Sequence, residues 1–278
     1  ESIKYHSDYY IPQKQAIKIL FLILNYHESA LFFFTEPKLK LIATLILTFK
    51  SYRKYLKCSS SQSLYNLNGL DESLQNLFKS AVYIIDCFSL FLNNFNEKNT
   101  ENYFTSIKVI INLLIDTMFS PCIQISNESM AVLLICSEKF PEFFFQCIHK
   151  PNILQELASL IDPSLFYDEF THILALDIIV SISYHITYDE VIFLLKKTPL
   201  MNNFLELLRC NSDIFLLPVS IVIINFINKS KSALKIIFNT EPKIIQNTFQ
   251  YFSCDLKNKD KCIIIYLFAS CIVNINDK

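Results

Sequence analysis

A single glycine, Gly69, serves all 278 residues. Hairpin turns, phosphate-cradling loops and dinucleotide fingerprints each need several, because glycine alone takes positive φ or lets a ligand approach the backbone at no steric cost. A chain so poor in glycine has little access to sheet turns or nucleotide loops. The expectation is an all-α fold.

The helices come in a recurring order, and residues 186–230 show it most fully. A short apolar run around Val191 to Leu195 stops at Lys196-Lys197-Thr198. Pro199 suits the first turn of a second helix, where a missing N–H costs nothing, and Leu200, Phe204, Leu205, Leu207 and Leu208 continue at helical spacing. That helix ends at Cys210-Asn211. Ser212 and Asp213 are placed to cap a third helix, which is apolar nearly all round and therefore predicted to be buried.

The same order follows, with a short helix over 231–241, Pro242 opening IIQNTFQYF, and a buried helix over 261–275. It also precedes, with 140–150, then Pro151 leading ILQELASLI, then 168–185. The prolines at 151, 199 and 242 lie 48 and 43 residues apart. A fainter copy has its second helix over 105–119 and its third over 128–140. Near the N-terminus, FFFTEPKLKLIATLILTF (32–49) restates IIFNTEPKIIQNTFQYF (236–252), with the same Thr-Glu-Pro-Lys. Short, amphipathic and buried helices at this period resemble the armadillo and HEAT repeat superfamily. The resemblance implies a right-handed armadillo-type α-solenoid of about five three-helix repeats. Such a solenoid can run as one domain over 1–278, with a loop insertion at 58–69.

Outside those copies, residues 1–11 carry little periodicity. Pro12 is expected to start a helix whose QAIKILFLILNY looks like the buried third helix of an incomplete first repeat, with 27–36 and 37–57 as the next pair. The insertion CSSSQSLYNLNG follows, then a long helix over 71–95 and a polar break at 96–102. The insertion reads either as a solvated loop or as a regulatory segment. In the second reading, phosphate on Ser59, Ser60 or Ser61 would meet Lys50, Arg53, Lys54 and Lys57.

Hydrophobic residues make up 52% and the mean hydropathy is +0.32. Yet runs such as 262–275 and 214–228 fall short of the roughly 20 residues that a span requires, so no membrane span is expected. Nor does an apolar leader open the chain at Glu1, and the missing initiator Met suggests a trimmed product. The nine cysteines form no CxxC, which argues for a reducing compartment: the cytoplasm, with the nucleus as an alternative.

Chemistry has few handles. His6, His27, His149, His172 and His185 lack the spacing of an HExxH site. Cys147 and His149, two residues apart, point to different sides of a helix. No catalytic residue, metal or cofactor is expected, and the chain reads as a non-enzyme. A phosphate track is thin too, limited to Lys50, Lys54 and Lys57 on one helix face and Lys257, Lys259 and Lys261 in a loop. Nucleic acid is therefore an unlikely partner, and nucleic-acid binding is kept as an alternative function.

Charge is uneven along the chain. Residues 1–70 carry nine Lys or Arg against four Asp or Glu, residues 71–186 five against fourteen, and residues 187–278 eleven against eight. An acidic middle suits a basic peptide or tail. Equally, Asp71, Glu72, Glu128, Asp168, Glu169 and Asp213 fall at expected helix starts, where they complement the dipole.

The third helices carry a thin polar stripe: Asp177, Ser181 and Tyr184 or His185; then Asn225 and Asn228; then Tyr266, Ser270 and Asn274. Asn25 takes the matching place in the first helix. In armadillo-type proteins such positions line a groove that grips an extended peptide, so these residues are candidate protein-binding residues. The alternative is that they are satisfied within the core or by water. The chain has no tryptophan, so the Trp and Asn ladder of the nuclear-import receptors of that superfamily is not present.

From Phe104 onward, FTSIKVIINLL, AVLLICSEKFPE (131–142), DEFTHILALDII (168–179) and DEVIFLLKKTPL (189–200) are similar in order and spacing to the armadillo subunit of the Ccr-Not deadenylase complex. That resemblance implies a non-catalytic scaffold in mRNA decay. Phe32 to Phe34 and Phe143 to Phe145 are runs of three, and a helix does not turn three consecutive side chains to one core. At least one phenylalanine in each is expected to be exposed or covered by a partner. The apolar helix over 262–275 is likewise expected to be capped by another chain. The reading as a whole is a non-enzymatic protein-binding scaffold or adaptor subunit of a larger multiprotein assembly.

Overall fold

The computed structural model describes residues 7–26, 40–57, 72–94, 103–165, 168–210, 212–240 and 269. The described residues form twelve helices and no β-strand. The chain divides into two compact units, residues 1–147 and 148–278.

The first unit holds α1 (Ser7–Tyr26), α2 (Leu41–Lys57), α3 (Glu72–Asn93), α4 (Phe104–Thr117), α5 (Ile123–Lys139) and most of α6 (Pro141–Ile148). Its helices alternate between two layers, with α1 on α3 and α3 on α5 in one, and α2 on α4 in the other. Phe49 of α2 meets Phe88 of α3 edge-on with ring centroids 5.7 Å apart, and both are fully buried. Each such ring is worth about 1.5–3 kcal/mol by transfer from water. Polar bonds fix the slide of one helix on another: Lys14 Nζ donates to Asn76 Oδ1 at 2.7 Å, and Lys139 Nζ donates to the Asn93 carbonyl at 2.7 Å.

Three expectations are corrected in this unit. α1 already runs from Ser7, so Pro12 falls inside it rather than at its start. α1 is also not buried all round: Ile17 and Leu24 face α3, whereas Ile19 is 56% exposed and Leu22 and Ile23 are exposed too. Its main neighbour among the described helices is α3. Finally, α5 starts at Ile123, after the Ser120-Pro121-Cys122 turn, so Glu128 lies within the helix and not at its head. The long helix expected over 71–95 is present as α3 and stacks between α1 and α5.

The second unit holds α7 (Pro151–Leu160), α8 (Glu169–His185), α9 (Tyr188–Lys197), α10 (Leu200–Cys210), α11 (Ser212–Lys229) and α12 (Lys231–Thr240). Several helix signals act as the sequence implied, although Pro199 stands just before α10 rather than in its first turn, and Ser212 and Asp213 already lie inside α11. Pro151 sits in the first turn of α7 behind Lys150. Asp168 caps α8 by accepting from the Thr171 N–H at 2.8 Å. Thr187 and Glu190 close a capping box on α9, and Lys196 and Lys197 end it. Packing then skips two helices each time: α7 meets α10, α8 meets α11, and α9 meets α12. Helices that hold the same place in the short–amphipathic–buried order therefore lie side by side, a three-helix register.

Polar bonds mark two of those pairs, and a third ties the link before α7 to α9. His149 Nδ1, in the link before α7, lies 2.8 Å from Glu190 Oε1, 41 residues on. Asn203 Nδ2 donates to the buried Ala158 carbonyl at 2.9 Å, 45 residues back. Asn225 Nδ2 donates to Ser183 Oγ at 2.7 Å, 42 residues back. All three separations fall near the proline spacing.

The phenylalanine run at 143–145 is resolved within its own unit. Phe144 is fully buried, Phe143 and Phe145 are partly buried, and the Phe143 ring lies 5.1 Å from that of Phe104. The run at 32–34, the insertion at 58–69, Ser59 to Ser61, Ser270, Asn274, and all of the helix expected over 261–275 but residue 269 lie outside the described residues.

Candidate functional site

The site begins with α8 and α11, the two apolar helices expected to be buried. They run in the same direction, since residues 173–180 of α8 line a groove with residues 214–221 of α11 while Ser183 meets Asn225 further along both. Between them an open groove of about 280 Å³ is lined from α8 by Ile173, Leu176, Asp177 and Val180, and from α11 by Ile214, Phe215, Leu217, Pro218 and Ile221.

Local sequence explains the groove's walls. Pro218 lies inside α11, and proline has no N–H to offer the carbonyl four residues earlier. That carbonyl belongs to Ile214, which lines the same wall. The α11 wall is apolar along its whole length.

Asp177 is the one ionisable group among the described residues that line the groove. It takes no hydrogen-bond or ion-pair partner among the described residues. Burial against the apolar walls raises its carboxyl above the usual carboxylate range. The carboxylate is solvent-reachable, yet it stands in a partly desolvated setting where a cation would be rewarded.

The other stripe residues divide. Ser181 is partly buried and His185 is exposed, on the same helix as Asp177. Asn228 is exposed one turn beyond Asn225 on α11. Asn225 itself is bonded to Ser183, whose hydroxyl passes a bond on to the Val180 carbonyl at 2.6 Å. Its amide is therefore engaged between α8 and α11. Asn25 is exposed near the end of α1, in the other unit. The apolar half of the groove, from Ile214 to Ile221, was missed in the sequence. Pro218 inside an otherwise helical run was the signal that could have found it.

Elsewhere, titratable groups serve packing. His172 is buried against the Leu160 carbonyl, 3.0 Å from its Nδ1, and burial pulls its pKa down. Cys87, Cys122, Cys136 and Cys147 are buried free thiols, and burial pushes Cys87 and Cys136 up to about 12. Thiols in that state are poor nucleophiles at neutral pH. Burial pushes Glu190 up, but hydrogen bonds from the Thr187 backbone and hydroxyl, together with His149, outweigh it and leave the carboxyl below its usual range. Among the described residues no group of three His, Cys, Asp or Glu is placed to hold a metal, and no helix is long and apolar enough to cross a membrane.

No family model matches the chain, and no curated protein does either. Among solved structures, the crystal structure of an engineered protein is similar to it, with a TM-score of 0.61 at 11% identity, covering 99% of this chain and 98% of that one. At that identity the likeness concerns the arrangement of helices alone.

Proposed function

We propose that this chain is a non-enzymatic helical-repeat scaffold of the armadillo type, and that it binds another protein along the face formed by α8 and α11. The observation that carries the reading is the groove between those helices. It is an open apolar cleft with a lone carboxylate, set between two helices that hold equivalent places in successive repeats. Helix-repeat proteins extend such surfaces from neighbour to neighbour. Apolar walls with a few convergent polar groups are the usual make-up of a recognition site. The partly buried Ser181 and the exposed His185 and Asn228 continue the face beyond the cleft.

The test compares proteins retained by the tagged chain with those retained by Ile221→Ser and Asp177→Ala, both on the groove and neither in the bonds between repeats. A defined set of companions lost in the variants, with melting temperature unchanged, is the expected result. Companions that persist unchanged would move the binding surface away from α8 and α11.

A further inference from the structure

The groove's chemistry narrows its occupant. A volume of about 280 Å³ lies at the lower edge of small-molecule pockets, whose range starts near roughly 300 Å³. It suits one or two side chains rather than a whole helix or a cofactor. Its floor and sides are aliphatic and aromatic, from Val180, Leu176, Phe215 and Ile221, while Asp177 stands on the same lining. An all-apolar occupant would leave that carboxylate partly desolvated with nothing to offset the cost. A short polar occupant would leave the walls uncovered.

We infer that the groove receives one arginine side chain from an extended segment of a partner protein, its aliphatic stem packed on the walls and its guanidinium on Asp177. The inference rests on the scaffold reading given above and deepens it. Long basic side chains bury their methylenes on apolar surface while the charged head keeps polar company. Charge complementarity selects a cation, because Asp177 has no ion-pair partner among the described residues. Arginine is favoured over lysine on two grounds. A guanidinium is more weakly hydrated than an ammonium, so it leaves water for a partly apolar groove at lower cost. It also carries five N–H donors in a fixed fork that matches a carboxylate, which an ammonium does not.

The probe is a positional-scanning library of extended heptapeptides bound to the intact chain. Expected is selection of arginine at one position. Replacing that arginine by citrulline, which keeps the shape and removes the charge, should weaken binding at least tenfold, and lysine should bind less tightly than arginine. Asp177→Asn should remove the preference for arginine over citrulline while leaving the melting temperature unchanged. Two results separate this inference from the scaffold reading. Peptides that lose binding in Ile221→Ser but show no basic preference would overturn the arginine assignment and leave the groove as a binding site. Peptides indifferent to both Ile221→Ser and Asp177→Asn, or a library from which nothing is retained, would overturn both.

Discussion

Asn225 Nδ2 donates to Ser183 Oγ at 2.7 Å across 42 residues of chain. The bond sits between the two helices that form the groove, so it fixes their register at the end away from Pro218. Removing either partner should cost about 0.5–1.5 kcal/mol. In a double-mutant cycle of Asn225→Ala and Ser183→Ala, the two losses should not add, because either change alone breaks the bond. Additive losses in denaturant unfolding would show that the bond carries no coupling.

Asn203 makes the same kind of link in a buried place, where the stakes are higher. It is 5% exposed, and its amide is the partner given to the Ala158 carbonyl. Asn203→Leu keeps the bulk and strands that carbonyl, at a cost of about 1–3 kcal/mol. Loss should therefore exceed that of Asn225→Ala. Equal or smaller loss in Asn203→Leu would mean that the carbonyl finds water.

Much of this was legible in the chain, and the part that was not has a physical cause. Prolines at helix starts, the Asp168 cap and the Lys196-Lys197 stop act locally, so the helix order of the second unit followed from residues a few positions apart. The register bonds are different. Nothing in the local sequence at Asn225 says whether its amide faces a partner peptide or Ser183 forty residues away, because both places demand a polar residue on an apolar helix. Glu128 misled for a related reason: an acidic residue near an apolar run looks like a cap, and only the start of α5 at Ile123 shows that it lies inside the helix.

The open face of α1 gives a sharp contrast between neighbours. Ile17 is 7% exposed and Ile19 56% exposed on the same helix. Ile17→Ala should cost about 2–4 kcal/mol through lost burial and the cavity left behind, while Ile19→Ala should change stability by no more than about 0.5 kcal/mol. Thermal unfolding of the two variants checks it. Similar losses at both positions would mean that the Ile19 face is covered in solution.

Asp86 on α3 and Glu128 on α5 set a pH dependence on the first unit. Burial, and then the charge of Glu128, raise the Asp86 carboxyl from 3.8 to about 6, and burial raises Glu128 as well. The folded chain then holds a proton on Asp86 that the unfolded chain releases between those two values. Since a state that binds more protons is favoured as pH falls, this group's contribution is best for stability below pH 3.8 and worsens as pH rises through 6. With both side chains only partly buried, solvent screening reduces the full cost to about 1–2 kcal/mol at pH 8. Asp86→Asn removes the charge and keeps the shape. It should raise stability over the natural chain by that amount at pH 8, with the difference fading toward pH 4. Urea unfolding of both proteins across that range is the measurement, and a difference that stays constant with pH would place the origin of the effect elsewhere than in the ionisation of Asp86.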